Sequence, residues 1–320
     1  MGKYLPRKID SSELESKHGI PKGWSLKNSG VQTRHHVTNE SGAFMGARAL
    51  ENALDKAGLS PSDLDYIISA SATFDYPIPS QASVIKNELK YGGGIDIGTV
   101  DVNATCLSFV TAFEMASRML DGNQYKRIAI VSAEISSKGL DPENWETITL
   151  FGDAAVAAIV EYDESGGSFF IKGGSKTYSK GVFDTIIKGG GNEYHIREHP
   201  FSHKLHSFQM NGFNLLRLAK KKLPEFTTWF FEGLETTFTE VDVIIPHQGS
   251  KLGLSMVNSL YQFKEGQFKD HLADYGNCIS ASIPLLLHNE IESGNIRRGD
   301  SCILIGTSAG FSIGAVLIIY

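Results

Sequence analysis

What most constrains this chain is that its second half repeats the plan of its first. Residues 64–70, Leu-Asp-Tyr-Ile-Ile-Ser-Ala, read as a buried strand, and Glu240-Val241-Asp242-Val243-Ile244-Ile245-Pro246-His247 repeats that pattern. The run Thr99-Val100-Asp101-Val102-Asn103-Ala104-Thr105-Cys106 leads into an almost uncharged helical stretch stopped by Asp121-Gly122. Tyr275-Gly276-Asn277 leads in the same way into an apolar helix ending near Gly294. Residues 301–306 echo 127–133, and 312–320 echo 155–162. Matches in the same order point to an internal duplication. Alternation of strand and helix in each half builds a mostly parallel sheet covered on both faces. The expected fold class is therefore α/β, with halves at 1–162 and 163–320. Equivalent strand ends of such halves converge, and Cys106, His247 and Asn277 all lie at these ends.

A chain of 320 residues is long enough for two such halves. Its 21% charged and 41% hydrophobic residues suit a globular protein and exclude disorder. A net charge of −6 gives no general reason to expect a nucleic-acid partner. Cys106, Cys278 and Cys302 form no CxxC pair, so neither a disulfide framework nor a zinc site is suggested, and a reducing cytoplasm is the expected compartment. The N-terminus shows no apolar signal core. The most apolar stretch, residues 302–320, is interrupted by Gly306, Gly310 and Gly314 and reads as buried strands joined by a turn, not as a membrane span. Elsewhere, helical periodicity from Gly42 stops at Gly58, Pro79-Ser80 opens a helix running to about Lys90, and residues 211–222 form a helix that Pro224 separates from another ending near Leu234.

Cys106 stands at a helix start, where unsatisfied N–H groups and the helix dipole favour a thiolate nucleophile. Phe109, Phe113, Ala116 and Leu120 recur at helical spacing, with Val110 and Met115 on other faces, so the helix is expected to be buried. In that setting a cysteine also serves simply as a small core hydrophobe. His247, at the carboxyl end of a strand, can donate a hydrogen bond to a carbonyl or act as acid or base, or merely bond a neighbouring carbonyl. Asn277 fits a polarising amide or a helix cap. Gly306-Thr307-Ser308-Ala309-Gly310-Phe311 fits a set of backbone donors to an oxyanion or a tight turn between core strands. A Cys, His and Asn set also occurs in papain-like proteases, but the Cys-Gly-Ser-Cys-Trp surroundings are absent and the duplicated sheet argues against that architecture.

Taken in order, Gly30-Val31-Gln32-Thr33-Arg34-His35, Pro79-Ser80-Gln81-Ala82, the Asp101 to Cys106 segment, Phe151-Gly152-Asp153-Ala154, Met210-Asn211-Gly212, Pro246-His247-Gln248, Tyr275-Gly276-Asn277 and Gly310-Phe311 resemble the β-ketoacyl-acyl carrier protein synthase III family of thiolase-like condensing enzymes. The resemblance implies a thiolase-like fold, two duplicated halves in a layered αβαβα sandwich, and a homodimer. It implies that Cys106 takes an acyl group from acyl-CoA, that His247 and Asn277 hold the thioester carbonyl of malonyl-acyl carrier protein as carbon dioxide leaves, and that the backbone N–H groups of Cys106 and Ala309 form the other oxyanion hole. No metal or cofactor beyond these substrates is implied, and no membrane or nucleic-acid partner. In the substrate-binding set, Trp24 stands where the family stacks on the CoA adenine, Trp145 where its partner is an arginine, and Asn28 where a basic residue meets the nucleotide; Phe311 belongs to the same set. Ile78 stands at a position that crosses the dimer interface and limits the acyl pocket. Family members carry a first strand just upstream of the position of Gly2, so either the sequence starts late or that edge is missing. Arg217, Lys220, Lys221 and Lys222, with Lys251, form a docking face for an acidic carrier protein or a merely solvated face. Two other functions fit the same residues: acyl transfer to a pathway-specific acceptor without decarboxylation, and an inactive partner or carrier-binding subunit.

Overall fold

The structure, a computed structural model, describes residues 1–92 and 94–320. Two sheets carry the molecule. The first runs in the order Gly2–Tyr4, Ala154–Glu161, Arg127–Glu134, Tyr66–Ser69, Gly98–Asp101, and the second in the order Val243–Pro246, Ser301–Ser308, Ser312–Ile319, Phe169–Thr177. Tyr66–Ser69 lies parallel to both of its neighbours, with Ser69 opposite Val131, and Val243–Pro246 lies parallel to its neighbour, with Pro246 opposite Ile305. The register is thus the same in both halves. So are details that follow from the repeated acidic residue: the carboxylate of Asp65 accepts from the N–H of Arg127 at 2.8 Å, and that of Asp242 from the N–H of Ser301 at 2.9 Å.

Apolar spacing along the helices builds the layers. Ser108–Met119 and Ser282–Glu292 lie between the sheets, where Phe109, Ala112, Ile283 and Leu286 pack with Ile68 and Ile128 of one sheet and Val243 and Leu304 of the other. Gly42–Ala57, capped by Ser41, covers the outer face of the first sheet together with Ile85 of Gln81–Glu88. Gly212–Phe231 covers the outer face of the second sheet through Phe226 and Phe230. Helix, sheet, helix pair, sheet and helix make the five-layered sandwich of the thiolase type. Among the described residues no helix is long and apolar enough to cross a membrane.

Two expectations are corrected. Gly2–Tyr4 is itself the edge strand, paired antiparallel with Ala155, Val156 and Ala157, so that edge is present. Residues 212–231 form one helix with Pro224 inside it instead of two helices parted there. A proline within a helix costs about 3 kcal/mol. Phe226 and Phe230 beyond it are fully buried, and burial of each side chain contributes about 1.5–3 kcal/mol, enough to carry the helix through.

Candidate active site

The duplication delivers two copies of one local device. After Gly98–Asp101, the Oδ1 of Asn103 accepts from the N–H of Thr105 at 2.9 Å, and the N–H of Ala104 donates to Ser108 Oγ at 3.0 Å. In the second half Asn277 Oδ1 accepts from the N–H of Ile279 at 2.9 Å, and the N–H of Cys278 donates to Ser282 Oγ at 2.9 Å. Thr105 and Ile279 both sit in the left-handed region, at φ 51° and 49°. That conformation is unusual for β-branched residues and is held by the surrounding bonds. Each turn, Thr105–Leu107 or Ile279–Ala281, then opens a central helix. Cys106 occupies the first turn and Ser280 the equivalent place in the second. Cys106 therefore precedes the α-helix by one tight turn, with its side chain at a cavity wall.

His247 follows Val243–Pro246, and its N–H donates to Ile305 O at 2.8 Å. Gly306 permits its approach, since a Cβ at position 306 would fall 2.7 Å from His247 Cβ. Asn277 Nδ2 donates to Gly249 O at 3.2 Å, and a second amide hydrogen is left for another acceptor. Gly249 also borders the imidazole, where an added Cβ would lie 3.3 Å from Cδ2. The histidine ring and the asparagine amide thus flank one glycine.

Cys106, His247 and Asn277 line a single cavity of about 550 Å³. Its polar end also holds Thr105, Thr307, Ser308 and Ala309, while Leu216, Ala219, Leu223, Phe238, Met256 and Val257 make an apolar wall between Gly212–Phe231 and Lys251–Tyr261. Burial, with the nearby Glu134 carboxylate, pushes the Cys106 thiol up to about 12. Backbone hydrogen bonds from Ala309 and from Cys106 itself act the other way. Desolvation thus outweighs the helix-start argument for a resting thiolate. Burial lowers His247 to about 4, so its imidazole is neutral at physiological pH. Its Nδ1 is buried without a hydrogen-bond partner.

The remaining sequence candidates fall into three places. Phe311, fully buried at φ 49°, lines the cavity and packs against Tyr178. Trp24 and Trp145 meet each other edge to face, at 6.0 Å between ring centroids and 82° between planes, and leave no parallel slot between them. Asn28 is exposed and donates to the carbonyl of Trp24 at 2.8 Å. Ile78 is 87% exposed and stands apart from the cavity in this chain. Arg217, Lys220, Lys221 and Lys251 are exposed, with Lys251 Nζ 3.5 Å from the carbonyl of Lys27. Lys222 turns away from that group, pairing with Glu225 at 2.6 Å and lying over the Tyr178 ring. The sequence reading missed the apolar wall of the cavity, whose residues look like ordinary core positions, and it missed the buried Glu134 and Ser280. The repeat offset that pairs Cys106 with Ser280 was the available signal for the latter.

Residues 100–181 match the family model for 3-oxoacyl-[acyl-carrier-protein] synthase III, and residues 232–320 match the model for its C-terminal part. The chain is 31% identical to a β-ketoacyl-[acyl-carrier-protein] synthase III from Cereibacter sphaeroides, covering 99% of this chain and 97% of that one. It is 28% identical to the protein of that name from Campylobacter fetus, over 99% and 96%. Among solved structures, a 3-oxoacyl-[acyl-carrier-protein] synthase III from Aquifex aeolicus superposes with a TM-score of 0.88 at 26% identity, covering 100% of this chain and 98% of that one.

Proposed function

This chain belongs to the 3-oxoacyl-[acyl-carrier-protein] synthase III family, and from that membership we propose that it condenses an acyl group, taken from acyl-CoA onto Cys106, with malonyl-acyl carrier protein. The observation that carries this reading is the convergence of Cys106, His247, Asn277 and the Ala309 N–H at one end of an apolar cavity.

In the first half-reaction the Cys106 sulfur attacks the acyl thioester carbonyl, the thiol proton passes to a base, and the CoA thiolate leaves. Neutral His247 in the same cavity is able to receive that proton. The carbonyl oxygen becomes an oxyanion, for which the N–H groups of Cys106 and Ala309 are the fixed donors. In the second, the malonyl carboxylate leaves as carbon dioxide, and its bonding electrons pass into an enolate. His247 and the free amide hydrogen of Asn277 meet the enolate oxygen. The enolate carbon then attacks the Cys106 thioester, the C–S bond breaks, and a β-ketoacyl thioester leaves on the carrier. Fixed dipoles in a site of low dielectric are the strongest means of stabilising such charge. The chemistry draws on no metal or cofactor beyond the substrates.

Exposed Arg217, Lys220, Lys221 and Lys251 support docking of an acidic carrier protein. The open edge strand Gly98–Asp101, with exposed Phe74, Tyr76, Ile78 and Tyr91 in the preceding segment, supports a homodimer that covers this edge. Three free thiols suit the reducing cytoplasm.

The test is intact-mass measurement of Cys106 acylation over a panel of acyl-CoAs, followed by carbon dioxide release from malonyl-acyl carrier protein. An acyl adduct without carbon dioxide release would point to non-decarboxylating transfer. Absence of both sinks the condensing reading.

A further inference from the structure

The two-fold repeat relates each catalytic position to a partner in the other half. The strand registers pair His247 with Ala70 and Ser308 with Glu134, and the two turns pair Cys106 with Ser280 and Asn277 with Asn103. The counterpart of the catalytic centre is therefore built from Ser280, Ala70, Asn103 and Glu134. One centre lines the cavity. In the other, Ser280, Ala70 and Glu134 are fully buried, and the Glu134 carboxylate fills the interior.

A buried carboxylate is costly unless its oxygens are satisfied. Glu134 accepts from the N–H of Ala72 at 2.7 Å, the N–H of Thr73 at 3.0 Å and Thr73 Oγ1 at 2.7 Å, and its fourth contact is Ser280 Oγ, whose single hydrogen is shared with the carbonyl of Ala70 at 2.9 Å. These donors come from both halves: Ala72 and Thr73 line the cavity, and Ser280 sits in the turn whose Ile279 N–H holds Asn277 Oδ1. A strut thus runs from the end of the Arg127–Glu134 strand through Ser280 to the Asn277 turn.

We propose that Glu134 is a positioning residue for the condensation, acting through Ser280 to keep the Asn277 amide in line with His247 where the enolate oxygen forms. This rests on the condensing reading above. The second half-reaction depends on the strut; acylation of Cys106, whose oxyanion donors are backbone groups at 106 and 309, does not.

Ser280→Ala removes the link and leaves the carboxylate, while Glu134→Gln keeps the shape and turns one acceptor into a donor facing donors. Each should lower kcat for carbon dioxide release from malonyl-acyl carrier protein at least tenfold with KM within about twofold of the parent, while Cys106 acylation stays within about twofold in Ser280→Ala and is not slowed in Glu134→Gln. Because the effect passes through one contact, the double variant should be no more than about twofold slower than the slower single variant. Glu134→Gln also removes the charge that opposes the thiolate, so iodoacetamide should alkylate Cys106 at pH 8 at least threefold faster. Equal loss in both half-reactions, no loss in either, or multiplied losses in the double variant would overturn the proposal. If the parent protein releases no carbon dioxide, the condensing reading fails by itself; unchanged alkylation in Glu134→Gln then overturns the role of Glu134 separately.

Discussion

Replacing Gly306 by Ala tests whether the placement of His247, rather than its mere presence, controls decarboxylation. The added Cβ would lie 2.7 Å from His247 Cβ and 3.4 Å from both Ile283 Cδ1 and Leu107 Cδ2. The last two distances are ordinary contacts, so the strain falls on the histidine. Restoring normal separation moves its Cβ by roughly 1 Å, because Ser301–Ser308 is held on both sides by its neighbours. Overpacking of this kind costs about 1–3 kcal/mol. Unfolding entropy near 2.1 cal/mol/K per residue gives about 0.7 kcal/mol/K for this chain, so Tm should fall by about 1.5–4.5 °C. A misplacement of that size in a catalytic group is worth about 10²-fold in rate. The expected result is a loss of about 100-fold in kcat for carbon dioxide release from malonyl-acyl carrier protein, and acylation of Cys106 should slow as well, because the same imidazole receives the thiol proton. Scanning calorimetry and the two half-reaction assays read these outcomes independently. A variant that loses the stated stability but decarboxylates at the parental rate would refute the reasoning, and so would one in which acylation of Cys106 is untouched.

Cys106→Ala should abolish the acyl adduct in intact-mass spectra yet leave measurable carbon dioxide release, since the groups assigned to the enolate are His247 and Asn277. Burial lowers His35, His247 and His288 to about 4, below the ordinary 6.5. The unfolded chain therefore takes up protons that the native state refuses, and stability should fall as pH drops from 6.5 towards 4, by at most about 4 kcal/mol per pH unit for three such groups; urea denaturation at pH 7 and pH 5 checks this, and equal midpoints would contradict it. Arg217→Glu combined with Lys220→Glu should raise KM for malonyl-acyl carrier protein several-fold at low salt, with kcat unchanged and the difference shrinking as salt is added.

The fold was legible because its signal is repeated. Each strand of the duplicated unit is short, and Tyr66–Ser69 alone could be any buried apolar run, but its recurrence as Val243–Pro246 with the same acidic neighbour and the same following turn is hard to produce otherwise. The placement of Cys106, His247 and Asn277 at one cavity was legible for the same reason: they terminate repeated elements. Pro224 misled because a local rule about prolines says nothing of Phe226 and Phe230 two and six residues on, whose burial is a tertiary fact. The resting state of Cys106 was also out of reach, since the helix-end effect is local whereas desolvation and the Glu134 charge come from the packed interior. The wall made by Leu216, Leu223, Phe238 and Val257 could not be told from core, because an apolar side chain facing a cavity and one facing another side chain obey the same spacing.

The duplication also explains how a sandwich with a two-fold plan opens Cys106 to a cavity and buries its counterpart Ser280. Both turns carry the strained residue, the asparagine bond and the serine cap needed to expose whatever side chain occupies the next position. The difference lies in what surrounds that position. Cys106 meets His247 across from Ser308, a small side chain that leaves the space open, whereas Ser280 meets Ala70 across from Glu134, whose carboxylate closes it. A hydroxyl bonded to a buried carboxylate beside an alanine has neither room for a thioester nor an imidazole to receive its proton. Mutating Ser280 to Cys would therefore place a second thiol in the same backbone setting without creating a second acyl site, and a single acyl adduct in the intact-mass spectrum of Ser280→Cys is the expected result.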